Sequence, residues 1–276
     1  MPHSPLPSVT IPELPVWQAL EHLPIWDSVT CERLATQLAA GYFLQILPSS
    51  MDSIDANVVL VELLADGYQG FLAKSDLEKL QPMAEDFTYS TPEISGELIQ
   101  ARLPQVLEYI NYAMVQPHSY LWGGTVPPSY DCSGLMQAAF HSIGVNLPRD
   151  AYQQEAFCES VPLSQIQMGD LIFFGNAQKA THVGICAGYD TSNQLITYIH
   201  SSGIEYGHNG IATSFLVNYP QRLTESQHNA DDVALSSSAI LAPELNDPVS
   251  RWYGSQLRGI GRVTSSWQRY LILTES

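Results

Sequence analysis

The chain has 276 residues, 45% of them hydrophobic, which is enough to bury a core and more than one typical domain requires. Eleven Lys and Arg stand against 28 Asp and Glu, a formal net charge of −17 that opposes the phosphate neutralisation behind nucleic-acid binding. This balance argues against nucleic acid and anionic lipid as partners, and no window carries the roughly 18 apolar residues of a membrane span.

The opening MPHSPLPSVTIPELP is rich in Pro and Ser, without helical or strand period, and is expected to be a loose lead-in. It has neither the basic start nor the apolar run of a secretory signal, so a cytoplasmic location is expected. From Leu23 to about Leu80 come four short candidate strands, LPIWDS, YFLQIL, NVVLVELL and GFLA, broken by turn-forming groups such as PSSMDS and ADGYQG. A small all-β domain over 1–90 follows. The polar stretch after Leu80, with two prolines, is the best boundary, and a second domain is expected over 96–276.

Residues 98–115 place Leu98, Ile99, Leu103, Val106, Leu107 and Ile110 at helical period, and Pro104 suggests that the helix begins there. A helix is expected after Cys132, then strands at 170–174, 182–189 and 194–201. That mixture predicts an α+β domain with helices gathered on one side of an antiparallel sheet. Residues 222–250, with an SSS run and little periodicity, are expected to be an inserted loop. The chain resumes at RWYGSQLRGIGRV, a short helix and a closing strand.

Cysteines stand at 31, 132, 158 and 186, with no C-x-x-C pair, and reduced thiols are expected. Cys132 is singled out by its position. The segment YLWGGTVPPSYDCSG ends in it, and GLMQAAFHSIG beyond it has a helical apolar face, so the thiol sits in a first helical turn. Unpaired N–H groups and the helix dipole there favour a thiolate. A small buried hydrophobe is the alternative.

The base would come from a hairpin. His182 begins one strand-like run and His200 ends the next. A two-residue turn at Thr191 and Ser192 would set the two rings side by side to within one residue. His182 would exchange a proton with the thiol, and His200 would hold its other nitrogen. A metal site built from His182, His200 and His208 lacks any H-E-x-x-H or C-x-x-C support, and no metal or cofactor is expected.

These segments, YLWGG…DCSG, LPRDAYQQ at 147–154, GDLIFF at 169–174, THVGI at 181–185 and YIHSSG at 198–203, resemble in order the NlpC-like family of peptidoglycan cysteine peptidases. The resemblance implies a papain-like α+β domain with Cys132, His182 and His200 as the catalytic set and Tyr120 supporting the oxyanion. DGYQGFL at 66–72 more weakly resembles a bacterial SH3-like module, a small β-barrel. That pairing is similar to the γ-D-glutamyl-diamino acid endopeptidases, which act on murein stem peptides with a free L-Ala amine. The resemblance then assigns substrate contacts to Asp131, Ser133 and Asp150, with Tyr68 closing the amine end. Asp150 could equally cap the helix that follows it. Two other readings stay open: an exported wall-remodelling hydrolase, and a non-catalytic binder of cell-wall peptides.

Overall fold

The computed structural model describes residues 14–48, 57–91, 93–190, 195–217 and 247–268. Most of the lead-in, the expected turns at 48–53 and 190–193, and residues 222–246 of the expected loop thus lie outside the described residues wholly or in large part.

The first unit is a seven-stranded antiparallel sheet: β1 Val16–Ala19, β2 Leu23–Trp26, β3 Leu34–Leu38, β4 Phe43–Ile46, β5 Val58–Leu63, β6 Gln69–Ala73 and β7 Leu80–Pro82. Alternation drives it: Leu23 and Ile25 of β2, Leu44 of β4, and Val59, Val61 and Leu63 of β5 turn into one core with Leu38, Leu72 and Leu80. The four strands expected from the sequence are β2, β4, β5 and β6. The order β3-β2-β6-β5-β4-β1-β7 leaves β3 and β7 as edges, so among the described residues the sheet is open. The expected closed barrel is not formed.

The second unit begins with α1, Gly96–Val115, capped by Ser95 Oγ, which accepts from Leu98 N. Pro104 therefore lies inside the helix rather than at its start. It sits on the exposed face, where the carbonyl that lacks its N–H can be hydrated. A two-stranded hairpin, β8 Thr125–Val126 and β9 Ser129–Tyr130, leads into α2, Cys132–His141, and then α3, Ala151–Phe157.

The remaining strands are β10 Glu159–Ser160, β11 Leu171–Gly175, β12 Ala180–Asp190, β13 Leu195–Ser202, β14 Gly210–Val217 and, after α4 at Pro248–Gly254, β15 Leu257–Arg262. They form an antiparallel sheet in the order β10-β15-β11-β12-β13-β14. One face, with Leu171, Phe173, Val183 and Ile185, packs under α1 and α2. The other is also apolar, with Ile172, Phe174, Cys186, Ile196 and Tyr198, and Tyr253 of α4 covers it. Helices therefore lie on both sides, not one, because both faces need burial.

The hairpin register differs from the expected one. Pairing runs Ile185↔Ile199 and Cys186↔Tyr198, shifts at a bulge between Cys186 and Gly188, and closes at Asp190↔Leu195. The longer connection and the bulge move His182 two residues from direct opposition to His200. Two residues preserve the face, so both side chains still lie on the Phe174 side of the sheet.

Candidate active site

Cys132 is the first residue of α2, as its sequence context predicts. Asp131 is the N-cap, its Oδ1 accepting from Gly134 N at 2.7 Å and its Oδ2 from Gly123 N at 2.9 Å. Gly134 has a steric reason to be glycine, since a Cβ there would lie 2.1 Å from the Gly124 carbonyl oxygen. The loop and the first helical turn are thus pressed together by their backbones. Ser201 Oγ, at the end of β13, donates to Tyr130 O at 2.7 Å and ties the sheet to the same loop.

Behind the thiol, Arg149 is buried and chelates Asp131, with Nη2 to Oδ2 at 2.6 Å and Nη1 to Oδ1 at 3.2 Å. Nη1 also donates to Ser133 Oγ at 2.9 Å, and Nε reaches Thr36 Oγ1 on β3 at 2.9 Å. A buried guanidinium requires a paired anion, and Asp131 supplies it. Asp131 and Ser133, assigned to substrate by the resemblance, are thus engaged in internal bonds that build the helix start. These bonds give both residues a structural role beside the substrate contact that the resemblance implies. Arg149 itself was not singled out, although an Arg just before Asp150 in a chain so poor in cations was a usable signal.

The first unit docks here. Gln37 Oε1 accepts from Thr125 N at 3.0 Å, Gln37 O accepts from Thr125 Oγ1 at 3.0 Å, and Gln137 Nε2 donates to Asp66 Oδ2 at 2.9 Å. Edge strand β3 is thereby covered by the second unit, which blunts its unpaired edge.

Helix α2 packs on β12, the strand that carries His182. The backbone N–H groups of Ser133 and Val183 point to Cys132 Sγ, and Val183 is the residue after His182. His182 Nε2 lies 2.7 Å from His200 Nδ1 with the rings nearly perpendicular, and Tyr253 stacks on His182 at a centroid distance of 4.2 Å. His200 Nε2 lies 3.0 Å from Ser214 Oγ, and His208 Nε2 lies 3.1 Å from the same oxygen. Ser214 and Tyr253 were invisible to sequence reasoning: a lone serine on a strand and a tyrosine beyond a long aperiodic stretch carry no pattern.

Burial governs the charges. It pushes the Cys132 thiol up to about 12, with the Asp131 carboxylate adding to the rise and the Val183 and Ser133 N–H groups and Arg149 opposing it. His182 is pushed down to about 3 by burial, and His200 falls well below its ordinary value through burial and the neighbouring His182 and His208. Burial thus favours the neutral thiol and neutral imidazoles, against the pull of the helix dipole toward a thiolate. Desolvation in an apolar, aromatic surround outweighs two N–H groups.

Tyr120 is half-buried, its ring against the Gly203 backbone just beyond β13, where a Cβ would stand 3.6 Å from its Cδ1. Asp150 is the N-cap of α3, its N–H donating to Gln153 Oε1 at 3.1 Å. Its half-buried carboxyl is pushed up by burial, while Arg149 pulls it down and the Tyr152 hydroxyl bonds to it. Tyr68 of the first unit is close enough to feel that carboxylate. Asp150 thus caps α3 with a carboxyl that is only half-buried. Among the described residues no cluster of His, Cys, Asp and Glu has the geometry of a metal site.

Residues 117–217 match the model of the NlpC/P60 family. A bifunctional muramidase/DL-endopeptidase of Bacillus subtilis is 38% identical over 91 residues, 32% of this chain and 26% of that protein. A γ-DL-glutamyl hydrolase of the same organism is 39% identical over 99 residues, 34% of this chain and 23% of that one. The chain thus spans about a quarter of the length of these relatives. Among solved structures, an NlpC/P60 family protein from Bacillus cereus is 20% identical with a TM-score of 0.40, covering 91% of this chain and 64% of that one.

Proposed function

We propose that this chain is a cysteine endopeptidase that hydrolyses the γ-D-glutamyl-diamino acid bond of peptidoglycan stem peptides bearing a free N-terminal L-Ala, in cytoplasmic murein peptide recycling. The domain match and the names of the relatives support the class of reaction. One observation carries the reading: a thiol at a helix start meets the strand of an imidazole whose far nitrogen is held by a second imidazole.

The protonation states order the steps. His182 Nδ1 takes the thiol proton as Sγ attacks the γ-glutamyl carbonyl, and the imidazolium then donates to the leaving amine, giving a thioester. The same imidazole activates water, the acid leaves and the thiol is restored. The Cys132 N–H and the Tyr120 hydroxyl are the donors to the oxyanion. With Asp131 committed to Arg149, Asp150 is the carboxylate left for the substrate ammonium, and Tyr68 walls that end from the first unit, an SH3-like module in this reading.

The test uses L-Ala-γ-D-Glu-diaminopimelate and the same peptide acetylated on its amine. Rapid cleavage of the first is expected, with a loss of roughly 10- to 100-fold on acetylation, the worth of one charge-assisted hydrogen bond. Cys132→Ala should abolish turnover with an unchanged circular dichroism spectrum; cleavage by that variant would reject the assignment. Digestion of intact sacculi would move the enzyme from recycling to the wall.

A further inference from the structure

We propose that the positive charge created when Cys132 is deprotonated does not stay on His182 but passes outward along His182, His200 and Ser214 to His208, beside Asp247. The inference rests on the cysteine chemistry above and adds a proton relay to it.

Three contacts make the line continuous: 2.7 Å between His182 Nε2 and His200 Nδ1, 3.0 Å from His200 Nε2 to Ser214 Oγ, and 3.1 Å from Ser214 Oγ to His208 Nε2. One requirement sets its polarity. His182 must accept the thiol proton on Nδ1, so its own proton is on Nε2 and is donated to His200 Nδ1. His200 then carries its proton on Nε2 and donates to Ser214 Oγ, whose hydroxyl proton is left to point at His208 Nε2. Every bond in the line faces outward.

The step balances. The S–H bond of Cys132 breaks as an Nδ1–H bond forms on His182. The Nε2 proton of His182 moves to His200 Nδ1, the Nε2 proton of His200 moves to Ser214 Oγ, and the Ser214 proton moves to His208 Nε2. His182 and His200 end neutral with exchanged tautomers, Ser214 ends a hydroxyl, and His208 ends an imidazolium. Reversal of the same shifts restores the cation at His182 when the leaving amine needs its proton.

The driving force is the difference in surroundings. His182 lies against Phe174 and Tyr253, His200 against Tyr198 and Tyr253, and among the described residues no carboxylate bonds to either ring. A second imidazole cannot hold a cation as the carboxylate of a triad does. His208 is only half-buried at the margin, edge-on to His200 at 5.4 Å; burial lowers its pKa, and the carboxylate of Asp247, the cap of the α4 that packs on β14, opposes that fall. Its titrating neighbours are His200 on β13 and Asp247 at the start of α4. His208 touches no reacting atom and acts through Ser214 and His200.

The experiment reads thiol ionisation directly. Iodoacetamide labelling of Cys132 is followed by mass mapping between pH 5 and 9 in the full chain, in His208→Gln, which still offers Ser214 an acceptor, and in Ser214→Ala, which cuts the line while keeping every imidazole. Both variants should slow labelling of Cys132 at pH 7 about tenfold or more and remove the acid inflection that His208 contributes, with Cys31 labelling unchanged. Retention of the wild-type rate and inflection by either variant would overturn the relay. Were His208→Gln to loosen the fold, buried Cys186 would begin to label, and Ser214→Ala then decides alone. A chain that labels as expected but leaves the tripeptide intact keeps the relay and loses the substrate; a chain that cleaves it with both variants unaffected keeps the substrate and loses the relay.

Discussion

A thiol that is neutral until a base takes its proton depends on that base being held in one tautomer. His200 does this for His182 through a 2.7 Å contact in a fully buried setting. His200→Ala removes the partner and leaves a cavity, and kcat should fall on the order of 10²–10⁴-fold, with a smaller change in KM, since the loss lies in proton transfer. A hundredfold loss confined to KM would show instead that His200 shapes the binding groove. Cys132 and His182 were legible because motif and strand period mark them, and His200 by its place in the same hairpin. The burial that opposes ionisation was not legible: dipole and N–H groups are local to the helix, whereas the aromatic shell of Phe174, Tyr198 and Tyr253 comes from elements far apart in the chain.

Between elements, Arg149 is the joint. It grips the cap of α2 with one edge of its guanidinium and Thr36 of β3 with the Nε–H, so the first unit and the nucleophile share one buried cation. Thr36→Val keeps the volume and leaves that N–H without its acceptor. About 1–3 kcal/mol of stability should be lost, read as a shift of the urea midpoint. An unchanged midpoint would mean that the two units do not depend on this contact. The longer strands of the first unit were legible from alternation, because β5 and β6 turn Val59, Val61 and Leu72 inward. Of the strands not anticipated, β7 is only three residues long, and β1 and β3, VWQA and LATQL, break their apolar residues with Gln and Thr. The hairpin register failed for a similar reason: a bulge after Cys186 leaves no mark in residue type.

At the scale of the whole molecule, buried neutral histidines make stability depend on acid. His182 is held at about 3 in the fold, against about 6.5 unfolded, so the unfolded chain takes up its proton first as pH falls. Its contribution is complete above pH 6.5 and drains away down to about 3, at up to about 1.4 kcal/mol per pH unit. Asp66 and Asp150, whose carboxyls burial pushes up, act in the opposite sense and are common to wild type and variant. His182→Asn should therefore flatten the fall in unfolding free energy between pH 6.5 and 4 by about one proton's worth of slope; identical slopes would show that the ring is already charged in the fold. The strand order has a further consequence for how the chain is made. Strand β15 lies between β10 and β11, and the ring stacked on His182 belongs to α4 just before it. A nascent chain on the ribosome has synthesised its thiol and both triad-like rings well before it has the strand that joins the sheet together. Completion of the sheet and of the aromatic wall around His182 therefore arrives late in translation, and a chain cut short before residue 262 is born without the closing strand.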